Sequence, residues 1–404
     1  MKVPEGWRLT DIGSNLVGST LRNAEGEFSH GDLRAVNKTL GMVPMKDRVK
    51  GKSVDRAKIV KKGWFAYNPM RINVGSICRW EEEEDCIVSP DYVVFHCNEN
   101  SLLNDYFYHF RHSYRWKRFM GDAGHGSVRI RIYLEDLKKL SCALPPITEQ
   151  KRIAEILSTW DRAIETVEKL IANSQAQKKA LMQQLLTGKK RLPGFQDNWS
   201  EFVLGSIGDT YSGLSGKSKK DFGSGQIYVP YKNVFKNSEV DFSSIDYVQI
   251  ADDENQNEVR HGDIIFTTSS ETPEEVGMSS VVISPPARTH LNSFCFGFRP
   301  KNLEQLNPIF SKHFFRCPAI RQEISSLAQG STRHNLSKRE MLKLRIRLPS
   351  IKEQNEIAFI LESGERAEIN FRKIHKCITK EKSALMQQLL TGKRRVKVEE
   401  ADNA

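Results

Sequence analysis

Apolar residues in two stretches of the chain recur every three or four positions, which is the pattern of a long amphipathic helix. The first stretch carries Ile153, Ile156, Trp160, Val167, Leu170, Leu181 and Leu185. The second carries Ile357, Ile360, Phe371, Ile374, Leu385 and Leu389. A proline precedes each stretch, at Pro145 and Pro349, and a glycine suited to ending a helix follows at Gly188 and Gly392. The pattern predicts two helices of roughly 40 residues, each about 60 Å long at about 1.5 Å per residue.

The end of the first stretch is copied in the second. Residues 180–189 read ALMQQLLTGK and recur identically at 384–393, an offset of 204. Over residues 144–192 against 348–396, 24 of 49 positions are identical without a gap. A period of about half the chain indicates duplication of a whole unit, a variable body followed by a helix, rather than a solenoid.

The variable bodies show short apolar runs separated by Gly, Asn, Ser and Pro, which is typical of strands and turns. Residues 91–95 and 280–283 are predicted strands. Residues 102–119 are predicted to form one helix, with Tyr106 and Phe107 in the core rather than on a stacking surface. The expected fold class is therefore α+β.

The repeat predicts five consecutive segments: a body over 1–146, a helix over 147–188, a body over 189–349, a helix over 350–392 and a charged tail over 393–404. Neither helix can bury its apolar stripe alone, so we expect the two to pair as an antiparallel coiled coil. Such pairing would place the bodies at opposite ends in a pseudo-twofold relation. The alternative is that each helix packs only on its own body.

Composition adds a positive charge. The 404 residues include 61 Lys and Arg against 50 Asp and Glu, a net charge of +11. Nine basic residues lie between Lys38 and Lys62, and six between Arg333 and Arg347. These clusters favour a polyanionic partner, although an ordinary solvated surface would show the same pattern.

The same composition argues against a membrane or exported protein. No apolar run approaches the roughly 20 residues that a membrane helix needs. The seven cysteines include no C-x-x-C pair, and the opening MKVPEGWRLT lacks an apolar signal core. We therefore expect reduced thiols and a cytoplasmic location.

Signatures of catalysis are missing from the sequence. The run at 216–218 (GKS) resembles the end of a P-loop but lacks its first glycine, and no Cys/His set has zinc spacing. We find no methyltransferase tetrapeptide and no helicase or nuclease signature. The sequence predicts no catalytic site, no metal site and no cofactor on this chain.

The order of body, repeated helix, body and repeated helix resembles the specificity (S) subunit of type I restriction-modification systems. The resemblance rests on the run LPPITEQKRI at 144–153 and its copy from Leu348, on both ALMQQLLTGK runs, and on the segment at 330–337. It covers essentially the whole chain. It implies that the bodies are target recognition domains, each reading one half of a bipartite, asymmetric DNA site, and that the helices form a spacer.

The resemblance also implies the partners. Two modification (M) subunits would dock on the helices and carry the S-adenosylmethionine site and the adenine methyltransferase chemistry. Restriction (R) subunits, which use ATP and magnesium, would join them for cleavage. The specificity chain itself would bind double-stranded DNA without catalysis.

Candidate DNA-binding residues are basic or small and polar, because such side chains contact phosphates and base edges. In the first domain they are Lys50, Lys52, Lys61, Lys62, Arg71, Gly126, Ser127 and Arg129. In the second domain they are Lys217, Lys219, Lys220, Thr268, Ser269 and Arg333. The runs GSVR at 126–129 and GSTR at 330–333 match at the offset of 204.

Two other classes fit parts of the pattern. A stand-alone DNA- or RNA-binding protein with a coiled-coil dimer interface would explain the charge, but it predicts palindromic sites, and the two bodies differ. A helical scaffold that binds only proteins would leave the basic clusters unexplained. The sequence does not disclose which DNA sequence would be read.

Overall fold

The computed structural model describes residues 3–46, 53–122 and 131–397. The chain divides into two units: the first contains residues 1–168 and 373–404, the second residues 169–372. Each unit therefore combines one variable body with the beginning of the long helix that follows it and the end of the other long helix.

The strands of the first unit are β1 (Arg8–Asp11), β2 (Leu16–Gly18), β3 (Leu33–Asn37), β4 (Gly41–Pro44), β5 (Lys58–Val60), β6 (Phe65–Tyr67), β7 (Ile77–Arg79), β8 (Cys86–Val88), β9 (Val93–Cys97) and β10 (Ser141–Leu144). Its helices are α1 (Asn104–Phe110), α2 (Tyr114–Asp122), α3 (Leu134–Leu137) and the start of α4 (Ile147–Leu185). The sheets have the orders β2-β9-β6-β7 and β4-β3-β8-β5, and β1 pairs with β10.

The strands of the second unit are β11 (Ser200–Val203), β12 (Gly208–Ser212), β13 (Phe222–Val229), β14 (Asp246–Val248), β15 (Ile264–Thr267), β16 (Ser269–Ser270), β17 (Ser279–Val281), β18 (His290–Leu291), β19 (Cys295–Pro300), β20 (His334–Asn335) and β21 (Arg345–Leu348). Its helices are α5 (Leu204–Ile207), α6 (Tyr231–Lys236), α7 (Pro308–Phe314), α8 (Pro318–Ser326), α9 (Lys338–Leu342) and the start of α10 (Ile351–Leu389). The sheets have the orders β12-β19-β15-β17 and β14-β13-β18, with the pairs β11-β21 and β16-β20.

The repeat extends through both bodies. The antiparallel sheet β12-β19-β15-β17 has the same order as β2-β9-β6-β7. The helices α7 and α8 and the strand β21 each begin 204 residues after α1, α2 and β10. The predicted α+β class and the internal repeat are confirmed, and the strands predicted near residues 91–95 and 280–283 correspond to β9 and β17.

One sequence prediction was wrong. Residues 102–119 do not form one helix, because α1 ends at Phe110 and α2 begins at Tyr114. The second copy carries a proline, Pro318, at the position equivalent to Tyr114, and proline is tolerated in the first turn of a helix but not in its interior. The break lets both short helices bury aromatic side chains, including those of Phe107 and Trp116, whose rings meet edge to face at 5.5 Å.

The two long helices each contain 39 residues and pair in antiparallel fashion within each unit. In the first unit, Lys382 contacts Asp161, and His375 Nε2 lies 3.0 Å from Glu168 Oε1. In the second unit, Gln175 Nε2 donates to Glu368 Oε1 at 2.9 Å, and Lys178 Nζ lies 3.5 Å from Glu365 Oε2. Residue numbers rise along one helix as they fall along the other, so the predicted antiparallel pairing is confirmed.

Burial along the helix pair is uneven. Ile153, Leu185, Ile357 and Leu389 are buried beneath the bodies, and Ile156, Trp160, Val167, Leu181, Ile360, Phe371 and Leu385 are partly buried. Leu170 and Ile374, which were assigned to the seam, are 40% and 46% exposed. An α-helix turns every 3.6 residues, so positions chosen at a strict spacing rotate gradually out of a straight interface.

Each long helix ends shortly before a glycine. Gly188 and Gly392, three residues beyond the last helical residue, have φ of 69° and 67°, the left-handed conformation that glycine adopts readily. Among the residues that the structure describes, no helix is both long and apolar enough to cross a membrane.

Candidate nucleic-acid interface

The strand pair β16-β20 brings together candidate residues of the second domain that are far apart in sequence. Ser269 pairs with Asn335 and Ser270 with His334. Leu336 N donates to Thr268 O at 2.8 Å. Thr268, Ser269 and Arg333 therefore lie on or next to one short strand pair, although 65 residues separate Thr268 from Arg333 along the chain.

Arg333 lies in a tight turn that leads into β20. Gln329 and Asn335 exchange backbone hydrogen bonds of 2.9 and 2.8 Å. Gly330 has φ of 111°, and a Cβ atom there would lie 2.3 Å from Arg333 O, so a side chain at this position would collide with the backbone. The glycine thus permits a turn that leaves the Arg333 side chain exposed.

Phe294 connects this turn to a pocket lined with lysines. Both the amide and the hydroxyl of Thr268 donate to Phe294 O, at 2.9 and 2.8 Å. The Phe294 side chain is 55% exposed and lines a pocket of about 390 Å³ together with Phe222 and Lys219. We call the set of residues Lys219, Phe222, Thr268, Phe294 and Arg333 the recognition face.

Three lysines of this domain are predicted to bind DNA, and they differ in their surroundings. Lys219 and Lys220 are exposed in a turn that is held by Ser218, whose amide and hydroxyl donate to Asp221 Oδ2 at 2.6 and 2.8 Å. These hydrogen bonds lower the pKa of Asp221. Lys217 instead forms an ion pair with Glu254, and its side chain is only 6% exposed. Its charge is already compensated, which makes it the weakest of the three as a phosphate contact.

Residues 212–225, a stretch rich in Gly and Ser, are partly ordered into regular structure. Residues 219–221 form a turn of 3₁₀-helix, and β13 begins at Phe222. Gly225 has φ of 103°, and a Cβ atom there would approach Val248 O to 2.5 Å. The glycines of this stretch therefore serve strand pairing with β14 as well as chain reversal.

The three described candidates of the first domain, Lys61, Lys62 and Arg71, do not form one patch. Lys61 and Lys62 are exposed in the turn before β6, and Lys62 pairs with Glu83. Arg71 is exposed beyond the opposite end of that strand. Lys50, Lys52, Gly126, Ser127 and Arg129 lie outside the described residues.

Phe222 and Phe294 were missed by sequence reasoning. Phe294 alternates with Phe296 and Phe298, and that spacing predicts a shared buried face. However, β19 begins only at Cys295, so Phe296 and Phe298 are buried and Phe294 lies before the strand, in solvent. The Asn292-Ser293 turn just before it was the available signal.

A repeated glutamine anchors the start of each long helix to its recognition domain. Gln150 Nε2 donates to the carbonyls of Ser101 and Pro145 at 2.9 and 3.0 Å, and its Oε1 accepts from Leu103 N at 2.9 Å. Gln354 makes the same three contacts with Gln305, Pro349 and Asn307 at the same distances. The matching glutamines in the sequence repeat thus have a structural purpose.

The glutamate that precedes each of these glutamines binds an arginine from the segment that follows the other long helix. Glu149 accepts from Arg395 Nε and Nη2 at 2.8 and 2.9 Å and from Trp7 Nε1 at 3.0 Å. Glu353 accepts from Arg191 Nε and Nη2, both at 2.7 Å. Each unit is therefore closed by a bidentate ion pair between the start of one long helix and the segment after the other.

Comparison with known proteins agrees with this architecture. The family model described as type I restriction modification DNA specificity domain matches residues 62–173 and 196–378. The chain belongs to this family. As a specificity subunit it is non-catalytic and serves DNA sequence recognition within a type I restriction-modification system.

Two relatives come from Methanocaldococcus jannaschii. The type I restriction enzyme MjaVIII specificity subunit is 27% identical over 277 residues, which are 64% of this chain and 63% of the relative. The MjaX specificity subunit is 26% identical over 353 residues, 82% of this chain and 78% of the relative.

Solved structures share the fold. The HsdS subunit from Thermoanaerobacter tengcongensis has a TM-score of 0.53 at 17% identity, covering 98% of this chain and 99% of that chain. The S subunit from M. genitalium has a TM-score of 0.57 at 16% identity, covering 96% of this chain and 98% of that chain. At these identities the likeness concerns the fold of the specificity subunit alone.

Proposed function

We propose that this specificity subunit reads a bipartite, asymmetric DNA site, one half with each recognition domain, and directs adenine methylation to it. Two modification subunits would carry S-adenosylmethionine and the methyltransferase chemistry. Restriction subunits, with ATP and magnesium, would add cleavage. The complex would act in the cytoplasm, in keeping with seven cysteines that are all unpaired.

The observation that carries this proposal is a duplicated frame with two different surfaces. Both units share a sheet order and the spacing of the helices that follow it. The exposed basic residues differ, however, with Lys61, Lys62 and Arg71 in one unit and the recognition face in the other. A common frame with unlike surfaces suits two unlike half-sites better than a palindrome.

The recognition face has the chemistry that DNA reading requires. Lys219 and Lys220 would neutralise phosphates, a contribution that weakens with salt. Arg333 could donate two hydrogen bonds to a guanine edge, and Thr268 could contact a base edge or a thymine methyl group. The exposed ring of Phe294 offers an apolar contact to the DNA.

The helix pair offers a surface for the modification subunits. Leu170, Ile369 and Ile374 are 40% to 46% exposed, and Phe359 is 70% exposed. Apolar side chains on a mostly charged helix pair favour burial against a partner. Because the same ten residues, at 180–189 and 384–393, span the ends of α4 and α10, a partner present in two copies could use the same contacts twice.

The test is co-expression of this chain with its modification subunit in a host that lacks adenine methylation, followed by mapping of methylated adenines. We expect one asymmetric motif made of two short sequences separated by a constant gap. The modification subunit expressed without this chain is the control and should leave no such motif. A palindromic or continuous motif, or none, would contradict the proposal.

A further inference from the structure

Two polar clusters, each built around a buried histidine, occupy equivalent places in the two units. The first contains His109, Ser158, Asp161 and Lys382, and the second contains His313, Glu362, Glu365 and Lys178. Each residue of one cluster is separated from its counterpart by 204 positions, the offset of the repeat. The sequence repeat did not reveal them, because Ser158 and Asp161 differ in type from Glu362 and Glu365.

The first cluster joins three helices. His109, on α1, is 1% exposed; its Nε2 lies 3.0 Å from Ser158 Oγ and its Nδ1 3.7 Å from Asp161 Oδ2, both on α4. Lys382, on α10, contacts the same aspartate. Burial lowers the pKa of His109 to about 4, so the imidazole is neutral at physiological pH and the charge pairing is left to Asp161 and Lys382.

The second cluster joins the equivalent helices with different chemistry. His313 Nε2, on α7, lies 3.1 Å from Glu362 Oε1, on α10. The neighbouring Lys312 places its Nζ 2.7 Å from Glu362 Oε1 and 3.2 Å from Glu365 Oε2. Lys178, on α4, lies 3.5 Å from Glu365 Oε2. The hydrogen bond from His313, together with Lys312, lowers the pKa of Glu362 to about 2.

In each cluster, the side chains on the domain helix complement the side chains on the long helices. Lys312 takes the place of Tyr108, and two glutamates on α10 take the places of a serine and an aspartate on α4. Glu362 and Glu365 are partly buried, and a carboxylate in that position that loses its cation is disfavoured because ion pairing no longer offsets its desolvation. Tyr108 facing Glu362 and Glu365 would leave both carboxylates without the nearer ammonium, so the two sets are not interchangeable.

We propose that these clusters are matched joints that set the angle at which each recognition domain leaves the helix pair, and thereby the gap between half-sites that the subunit accepts. Buried polar networks specify one arrangement more than they add stability. Each joint binds a domain helix to one long helix, and a carboxylate of that long helix also binds a lysine of the other, so the three helices are linked in series. The inference rests on the proposed function, since a gap exists only for a bipartite site.

The test exchanges the chemistry of the second joint for that of the first. Lys312→Tyr is the mismatched variant, and Lys312→Tyr with Glu362→Ser and Glu365→Asp is the matched variant. The control is Glu201→Ala, which removes an exposed ion pair with Arg345 in the same unit. Each full-length chain is co-expressed with the modification subunit, and methylation is compared at motifs whose gap is the preferred one or is longer or shorter by one base pair.

We expect the mismatched variant to keep both half-site sequences but to raise relative methylation at the altered gaps about tenfold, equivalent to about 1.4 kcal/mol. The control should behave like the unmodified chain, and so should the matched variant, which loses only the ion pair of Lys312 with the partly exposed Glu239. A folded mismatched variant with unchanged gap preference, or with changed half-site sequences, would overturn the inference.

A milder substitution tests the same inference if the mismatched variant does not fold. If Lys312→Tyr does not accumulate as a folded chain, Glu362→Gln removes one charge while keeping the shape, and the same criterion applies to it. An unmodified chain that directs methylation to no bipartite motif would overturn the proposed function itself. A bipartite motif with an unaffected gap would overturn only the role of the joints.

Discussion

Replacing Gln150 with leucine removes the hydrogen bonds that hold the start of α4 to the loop before α1. The glutamine is fully buried and is bonded to Ser101 O, Pro145 O and Leu103 N. Leucine has a similar size, so the change deletes polar contacts without opening a large cavity. The three backbone groups lose a partner in a place where water has little access.

The magnitude follows from those three groups. Leaving a buried hydrogen-bonding group unsatisfied costs about 1–3 kcal/mol, and the lower value applies here because two of the three bonds are only partly buried. We therefore expect a loss of about 3 kcal/mol in the free energy of unfolding of the first unit. For a unit of this size, about 2–4 °C in Tm accompanies each kcal/mol, so Tm should fall by about 6–12 °C.

The assay is calorimetric unfolding of the full chain, with near-ultraviolet circular dichroism to verify the fold. Gln354→Leu should reproduce the loss in the second unit, since Gln354 makes the same contacts. Gln183→Leu, at an exposed position of α4, is the matched control and should change stability by less than about 0.5 kcal/mol. A Gln150→Leu chain that unfolds like the Gln183→Leu control would refute the reasoning.

Three further results are expected, the first two in complex with the modification subunits. Arg333→Ala should abolish selection of one half-site and spare the other; an unchanged methylation motif would reject its role in reading DNA. Lys219→Ala with Lys220→Ala should lower the slope of log affinity against log salt by about 2, whereas Lys217→Ala, which removes an already paired charge, should leave that slope nearly unchanged in anisotropy titrations. Equal slopes for both variants would contradict this. The first unit should lose stability as pH falls from 6.5 towards 4, because the unfolded chain binds protons that folded His109 and His112 do not. His109→Gln should reduce the slope of that part of a Tm-against-pH curve, and an unchanged curve would count against it.

Much of the frame was predictable because its signals are local. The two helices follow from apolar spacing, and their ends follow from prolines and glycines adjacent in sequence. Even the break between α1 and α2 could have been inferred from the repeat, since Pro318 marks it in the second copy. The exposed positions Leu170 and Ile374 were not predictable from spacing, because exposure depends on the geometry of the partner helix.

The candidate site was predictable in type but not in arrangement. Thr268 and Arg333 were separate predictions, and the pairing of β16 with β20 places them at the two ends of one short strand pair. Lys217 is indistinguishable from Lys219 in the sequence, yet the structure pairs the first with Glu254 and exposes the second. Whether a charge is free to meet DNA depends on partners far along the chain.

The sequence by itself determined the duplication, the two long helices, the fold class and the family, because each depends on patterns within short stretches or on a constant offset. The tertiary structure alone decided which side chains share a surface, which charges are already paired and how each domain is joined to the helices. His109 with Asp161 and His313 with Glu362 are about 50 residues apart, and only folding brings them within 4 Å. Such contacts depend on the packing of three elements at once, which no local pattern encodes.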